Sequence, residues 1–110
     1  MEELRAFVAE RDWEQFHDPK NLAMAMVSEA GELAAEYRWL RSVEADGYTE
    51  DSNVKERIAM EAADVGIALL MFCDRIGIDL VTAVKKKIEI NRSNYPPERS
   101  RGRAERRARE

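Results

Sequence analysis

The stretch PKNLAMAMVSEAGELAAEY, residues 19–37, decides the fold. Leu22, Met26, Leu33 and Tyr37 recur at helical spacing, so the stretch reads as an amphipathic helix. Two acids, Glu29 and Glu32, stand in that apolar pattern three residues apart, which makes them neighbours on one helix face. No Lys or Arg lies three or four residues from either to offset the charge. The arrangement recurs in Glu61-Ala-Ala-Asp64, among Ile58, Val65, Ile67 and Ala68. A buried, unpaired carboxylate is costly, or else it takes up a proton. Two such helices packed together would bring four carboxylates into one cavity, a ready site for a hard divalent cation. Oxygen donors without histidine or thiolate favour Mg²⁺, with Mn²⁺ as a substitute, over zinc or copper. Acidic pairs more often lie on a solvated helix surface. The apolar setting, the repetition and the missing basic partners weigh against that here.

The flanks give the boundaries. Asp18 is a candidate N-cap with Pro19 at the first helical position, where a missing N–H is harmless. The helix then runs over 19–41. Upstream, 2–15 reads as a helix with Leu4, Phe7, Val8 and Arg11 at helical spacing, breaking near His17. Downstream, Ser42 to Asn53 holds Gly47 and many polar residues and reads as a loop. Asp51 or Ser52 caps a third helix over 53–76, with Gly77 as its C′ residue. Asp79 caps a fourth over 80–94, with Leu80, Val81, Val84, Ile88 and Asn91 on one side, and Pro96-Pro97 ends it. No strand-like alternation of any length appears. The expectation is an all-α, four-helix protomer over 1–97, with 98–110 a basic, flexible C-terminal tail carrying Arg99, Arg101, Arg103, Arg106, Arg107 and Arg109.

With 110 residues the chain suits one domain. A thin helical protomer of this size needs a partner to complete its core, because its second and third helices are apolar on wide arcs. The net charge of −4 gives no reason to expect nucleic-acid or membrane binding. No apolar run reaches the ~18 residues of a membrane span. The start Met-Glu-Glu lacks a basic, then apolar, leader pattern, so the expected compartment is cytoplasmic. The single cysteine, Cys73, has no partner for an intramolecular disulfide and reads as a small buried apolar residue.

Other candidates are weaker when taken singly. Lys87 and Asn91 are an i, i+4 pair with Tyr95 one turn on, usually mere surface. Beside a metal-and-phosphate site, the lysine supplies a point charge for phosphate and the asparagine a bond to sugar or phosphate. Phe16 reads as core. Trp13 sits among charged residues, at an edge or in a pocket. Trp39, about two turns beyond Glu32, is placed to stack on a base. His17 is the only histidine, equally a structural hydrogen-bonder and a site residue. No activated nucleophile and no glycine-rich phosphate loop is visible.

Taken together, Glu10-Arg-Asp-Trp-Glu-Gln-Phe-His17, Pro19-Lys-Asn-Leu22, Glu29-Ala-Gly-Glu-Leu33, Trp39, Glu61-Ala-Ala-Asp-Val65, Asn91-Arg92, Tyr95-Pro96 and Ser100-Arg-Gly102 resemble the MazG-like all-α nucleoside triphosphate pyrophosphohydrolases, and most closely their dCTP pyrophosphatase branch. The resemblance runs nearly end to end. It implies helical protomers that assemble as homodimers or homotetramers, and Mg²⁺ held by Glu29, Glu32, Glu61 and Asp64. It further implies a base pocket involving Trp13 and Trp39, and contacts from Lys87, Asn91 and Tyr95 to sugar or phosphate. The implied reaction cleaves a nucleoside triphosphate between its α- and β-phosphates, in nucleotide-pool house-cleaning. Glu32 is the candidate to orient or deprotonate the water, with Glu36 a like charge one turn on. Cytosine-selective relatives carry a histidine where this chain has Leu4 and a tyrosine where it has Ala68. Both changes imply a looser base pocket. The rival readings are a phosphoribosyl-ATP pyrophosphohydrolase, a di-iron carboxylate bundle, which would normally add Glu-x-x-His motifs absent here, and a non-catalytic helical adaptor.

Overall fold

A computed structural model describes residues 1–102, and every regular element among them is helical. The elements are α1 (Glu2–Glu10), α2 (Pro19–Ala35), α3 (Ser42–Ala45), α4 (Ser52–Ile76), α5 (Leu80–Asn94) and α6 (Pro97–Ser100), with 3₁₀ turns at Glu14–Phe16 and Asp46–Glu50. The all-α expectation therefore holds for the described residues. Of the expected tail over 98–110, residues 103–110 lie outside them, and 98–100 fall in the helical turn α6.

The local signals act as physical chemistry requires. The Asp18 carboxylate accepts from the Asn21 N–H at 2.8 Å and caps α2 ahead of Pro19. Asp51 accepts from the Asn53 and Val54 N–H groups and caps α4, and Asp79 accepts from the Thr82 N–H to cap α5. Gly77, at φ 75°, ψ 32°, ends α4 in the left-handed conformation that glycine adopts without steric cost.

Four boundaries need correction. The first helix stops at Glu10, not near His17, because Asp12 takes a positive φ of 55°. The Asp12 and Trp13 N–H groups return to the Ala9 and Val8 carbonyls, and the Gln15 amide donates to the Asp12 carbonyl and carboxylate. Aspartate tolerates that backbone better than most residues. The second helix stops at Ala35 rather than 41, its end tightening into i→i−3 bonds from Glu36, Tyr37 and Arg38. The expected loop 42–53 is wound into α3 and a 3₁₀ turn, with the Arg41 N–H and side chain both donating to Glu44. After Pro96, Pro97 starts the single turn α6, as proline can at a first helical position.

The chain divides into two compact units, Met1–Gly77 and a second beginning at Ile78. In the first, α2 packs principally against α4. The two run antiparallel: Glu29 and Glu32 of α2 meet Glu61 of α4, and Glu36 meets Arg57. Val8, Leu22, Ala68 and Cys73 are the buried apolar residues among those described. Cys73 is a free buried thiol, as expected for a small apolar residue. Arg5 of α1 forms an ion pair with Asp74 near the end of α4, Nε lying 3.0 Å from a carboxylate oxygen. The second unit consists of α5 and the turn that follows it.

Candidate functional site

Helical spacing places Glu29 and Glu32 on one face of α2, and Glu61 with Asp64 on one face of α4. The packing of α2 on α4 turns those faces together. Carboxylate oxygens of Glu29, Glu32 and Glu61 lie within 4.8 Å of one another. Glu29 and Glu61 are half-buried, and each keeps one oxygen, Oε2, buried with no hydrogen-bond donor. Glu32 is exposed at the mouth of the cluster. Asp64 is exposed and outside the close triad, yet its charge bears on both half-buried acids.

The electrostatics follow from this crowding. Burial, then the charges of Glu32 and Asp64, pushes the Glu29 carboxyl above the ordinary glutamate range. Burial, then Glu32, Asp64 and Glu36, does the same to Glu61, while Arg57 opposes it. The cluster is a set of hard, anionic oxygen donors with two buried lone-pair sites unanswered by protein. Such a set fits a hard divalent cation and offers nothing to a soft one.

Arg57 is the residue that the sequence reading passed over. Its Nε donates to Glu36 at 2.6 Å and its Nη2 to the Tyr48 hydroxyl at 2.9 Å. Tyr48 in turn packs edge-on against Tyr37, with ring centroids 5.4 Å apart. The like charge expected beside Glu32 at Glu36 is thus countered across the helix pair. Spacing alone puts Arg57 one turn before Glu61 on α4, but nothing local links it to Glu36, 21 residues away.

A cavity of ≈ 240 Å³ lies farther along the same helix pair. Leu4, Val8, His17, Leu22 and Met71 line it, and Arg5, Glu14, Asp74 and Arg75 supply its polar wall. Leu22 is seven residues before Glu29, and Met71 seven after Asp64. On both helices that is two turns on the same face, about 10 Å from the acids. His17 is half-buried in this wall, so the lone histidine belongs to a cavity rather than to the acidic cluster. Leu4 lines the cavity, whereas Ala68 is a buried core residue outside its lining.

The aromatics divide. Trp13 is 43% exposed and stands edge-on to Phe7 at 5.6 Å, with the Arg11 guanidinium 3.7 Å from the Phe7 ring centre. Phe16, read as core, is instead 60% exposed at the end of the 3₁₀ turn Glu14–Phe16, in which no residue is buried. Trp39 lies past the end of α2, 85% exposed, with the Arg38 guanidinium 5.2 Å from its ring. In the second unit, Lys87 and Asn91 lie exposed on one face of α5 and Tyr95 is its C-cap.

No protein-family model matches the chain. It is 42% identical over 98 residues to dCTP pyrophosphatase 1 of Rattus norvegicus, a match covering 89% of this chain and 58% of the relative. It is 44% identical over 92 residues to dCTP pyrophosphatase 1 of Homo sapiens, covering 82% and 53%. The chain thus spans little more than half the length of these relatives. A solved structure of a pyrophosphatase from Archaeoglobus fulgidus superposes with a TM-score of 0.74 at 39% identity, covering 86% of this chain and 87% of that one.

Proposed function

Because the chain belongs to the MazG-like family of all-α nucleoside triphosphate pyrophosphohydrolases, we propose that it hydrolyses deoxynucleoside triphosphates to the monophosphate and pyrophosphate, using Mg²⁺ held by Glu29, Glu32, Glu61 and Asp64. The observation that carries the metal assignment is that Glu29 and Glu61, two members of a three-carboxylate cluster, each bury one oxygen, Oε2, with no hydrogen-bond donor. A cation held by these residues would answer a desolvation cost that no protein donor answers. When bound, Mg²⁺ neutralises charge on the phosphates and makes a bound water more acidic.

The chain's own residues supply the rest. Glu32, exposed at the mouth of the cluster, can hold a water by hydrogen bond and take its proton as the oxygen attacks phosphorus. The attacked phosphoanhydride bond breaks and the pyrophosphate oxygen leaves. Lys87, Asn91 and Tyr95 are assigned to sugar and phosphate by the likeness of Asn91-Arg92 and Tyr95-Pro96 to the family pattern. The cavity beside Leu4 and His17, about 10 Å along both helices from the acids, suits a base whose phosphates lie at the cluster. An engineered apolar cavity of ~150 Å³ already holds benzene, so ≈ 240 Å³ leaves space beyond a single six-membered ring. We therefore assign a base pocket that takes dCTP and at least one other deoxynucleotide, dATP among the candidates; of the two tryptophans assigned to the base, Trp39 lies past the opposite end of α2 from this cavity and would reach a base held there only from a second copy of the chain.

A homo-oligomer is part of this reading. Met24 and Val27 on α2 and Met60, Ile67 and Leu70 on α4 are exposed, and the buried apolar core is small. A second copy covering those faces would complete it, as a dimer or tetramer. Among the described residues no helix is long and apolar enough to cross a membrane.

The test is a panel of dNTPs and NTPs incubated with Mg²⁺, with products resolved by ion exchange. Monophosphate and pyrophosphate in equal amounts are expected. Nucleoside diphosphate and orthophosphate as primary products would overturn the reaction assignment.

A further inference from the structure

The acidic cluster has an end, and one residue makes it. Because α2 and α4 are antiparallel, each step forward along α2 faces an equal step back along α4. Glu32 with Glu61 forms one rung, and Glu36 with Arg57 forms the next, a turn away. Without Arg57, Glu36 would be a further carboxylate continuing the cluster. It stands one helical turn from the Glu32–Glu61 rung on the same helix pair. Arg57 instead holds Glu36 at 2.6 Å and ties itself to the Tyr48 hydroxyl at 2.9 Å. The Glu36 side chain is 20% exposed, so little solvent competes for it.

We propose that Arg57 is a positioning residue that closes the carboxylate ladder: by engaging Glu36 and Tyr48 it confines cation binding to Glu29, Glu32, Glu61 and Asp64 and limits the affinity of the site. This rests on the metal-dependent reading above. Arginine suits the task because its planar fork serves a carboxylate and a hydroxyl together and keeps its charge at all working pH values. The neighbouring 3₁₀ turn, Asp46–Glu50, supplies the hydroxyl that fixes its direction. Affinity at carboxylate sites is set in part by ligand charge count, so the two partners of this pair act in opposite directions. Removing Arg57 deletes a nearby cation and frees a carboxylate, and both changes tighten cation binding. Removing the charge of Glu36 leaves an unpaired cation one turn from Glu61 and weakens it.

The experiment measures Mn²⁺ binding directly, by calorimetry and by the loss of free-ion electron paramagnetic resonance signal, on the full chain. Arg57→Ala is expected to bind Mn²⁺ roughly tenfold more tightly than the parent. Glu36→Gln should bind it more weakly, and Arg57→Ala/Glu36→Gln should return close to parental affinity. Arg57→Lys, which keeps the charge but not the fork, should fall between the parent and Arg57→Ala. A purely structural tie would instead weaken binding in both single variants, because both lose the same ion pair. Weaker or unchanged binding in Arg57→Ala, with melting showing the variant folded, overturns the inference. If Arg57→Ala is unfolded, the opposed sign is read from Arg57→Lys against Glu36→Gln, and shifts of the same sign overturn it. A parent that binds no Mn²⁺ overturns the metal reading itself, and the inference with it.

Discussion

Glu61→Gln separates a metal site from a merely tolerated acidic cluster. The substitution keeps the shape of the side chain and removes one charge from three carboxylates whose oxygens lie within 4.8 Å. Two opposed effects follow. Without metal, the variant is expected to melt at or above the parental temperature, because a half-buried like charge raised by burial and by Glu32 has gone. With metal, the variant should lose most of the gain that the parent shows. A ligand that binds only the folded state at a hundred times its dissociation constant stabilises by about 2.7 kcal/mol. For a domain of this size that is a rise of about 10–20 °C. Altering even an outer-shell group at a metal site costs ~10–100-fold in affinity. Losing a direct ligand at the upper end leaves the same metal concentration near the new dissociation constant. The gain then shrinks to about 0.4 kcal/mol, or about 2–3 °C. The assay is thermal melting at fixed protein concentration in EDTA and across a Mg²⁺ series, with turnover measured in parallel. A variant that gains as much from Mg²⁺ as the parent, or keeps parental turnover, would refute the assignment of Glu61.

Further outcomes can be checked separately. Gly77→Ala should cost about 1–2 kcal/mol at a positive φ of 75°, read as a lower urea midpoint, because nothing lies within 4 Å of the added methyl and only the backbone is strained. In EDTA, melting temperature should pass through a maximum at mildly acidic pH. The Asp74 carboxyl, held low by Arg5, and Asp79, held low by the Thr82 N–H, contribute stability present above the unfolded value of ~3.9 and lost as pH falls through their depressed folded values. Glu29 and Glu61, raised by burial, act the other way: their contribution is present below ~4.3 and lost as pH rises through their folded values. A melting temperature that climbs steadily to neutral pH in EDTA would contradict that balance. Leu4→His puts a hydrogen-bonding ring into the cavity wall and should spread kcat/KM among bases by at least roughly tenfold. Ala68→Tyr should instead cost stability by overpacking a residue 7% exposed.

What could be read in advance was what is written locally. The bounds of α5 are those expected, since the Asp79 cap, the helical spacing and Pro96 lie within one short stretch. The α4 bounds agree to one residue, between the Asp51 cap and Gly77. The misplaced ends depend on contacts distant in sequence or on a single backbone angle. At the end of α2, Glu36 and Tyr37 take partners, Arg57 and Tyr48, that periodicity does not link to them. At the end of α1 the decisive event is one positive φ at Asp12. Three of the four acids were legible as a close group, because i, i+3 spacing and an apolar setting are local facts. The counter-charge at Glu36 was not, because it comes from 21 residues away. Phe16 shows the same limit from the other side: hydrophobicity predicted burial, and the turn that carries it leaves the residue 60% exposed.

The small core and the crowded acids bear on each other. A chain whose buried apolar residues, among those described, are Val8, Leu22, Ala68 and Cys73 has little hydrophobic stabilisation in reserve. Its principal helix pair nevertheless carries three carboxylates at its interface, two of them with an unanswered buried oxygen. Natural domains tolerate such conflict mainly where function requires it. Under the proposed function, two binding events offset the strain. A cation answers the acids, and a second copy covers Met24, Val27, Met60, Ile67 and Leu70. Each acts only on the folded chain, so each stabilises the same helix pair by mass action. Because α2 and α4 carry both the acids and the exposed apolar side chains, cation binding and assembly draw on one scaffold. Loading the acids should therefore tighten self-association, and dilution should weaken cation binding, by the same factor in both directions.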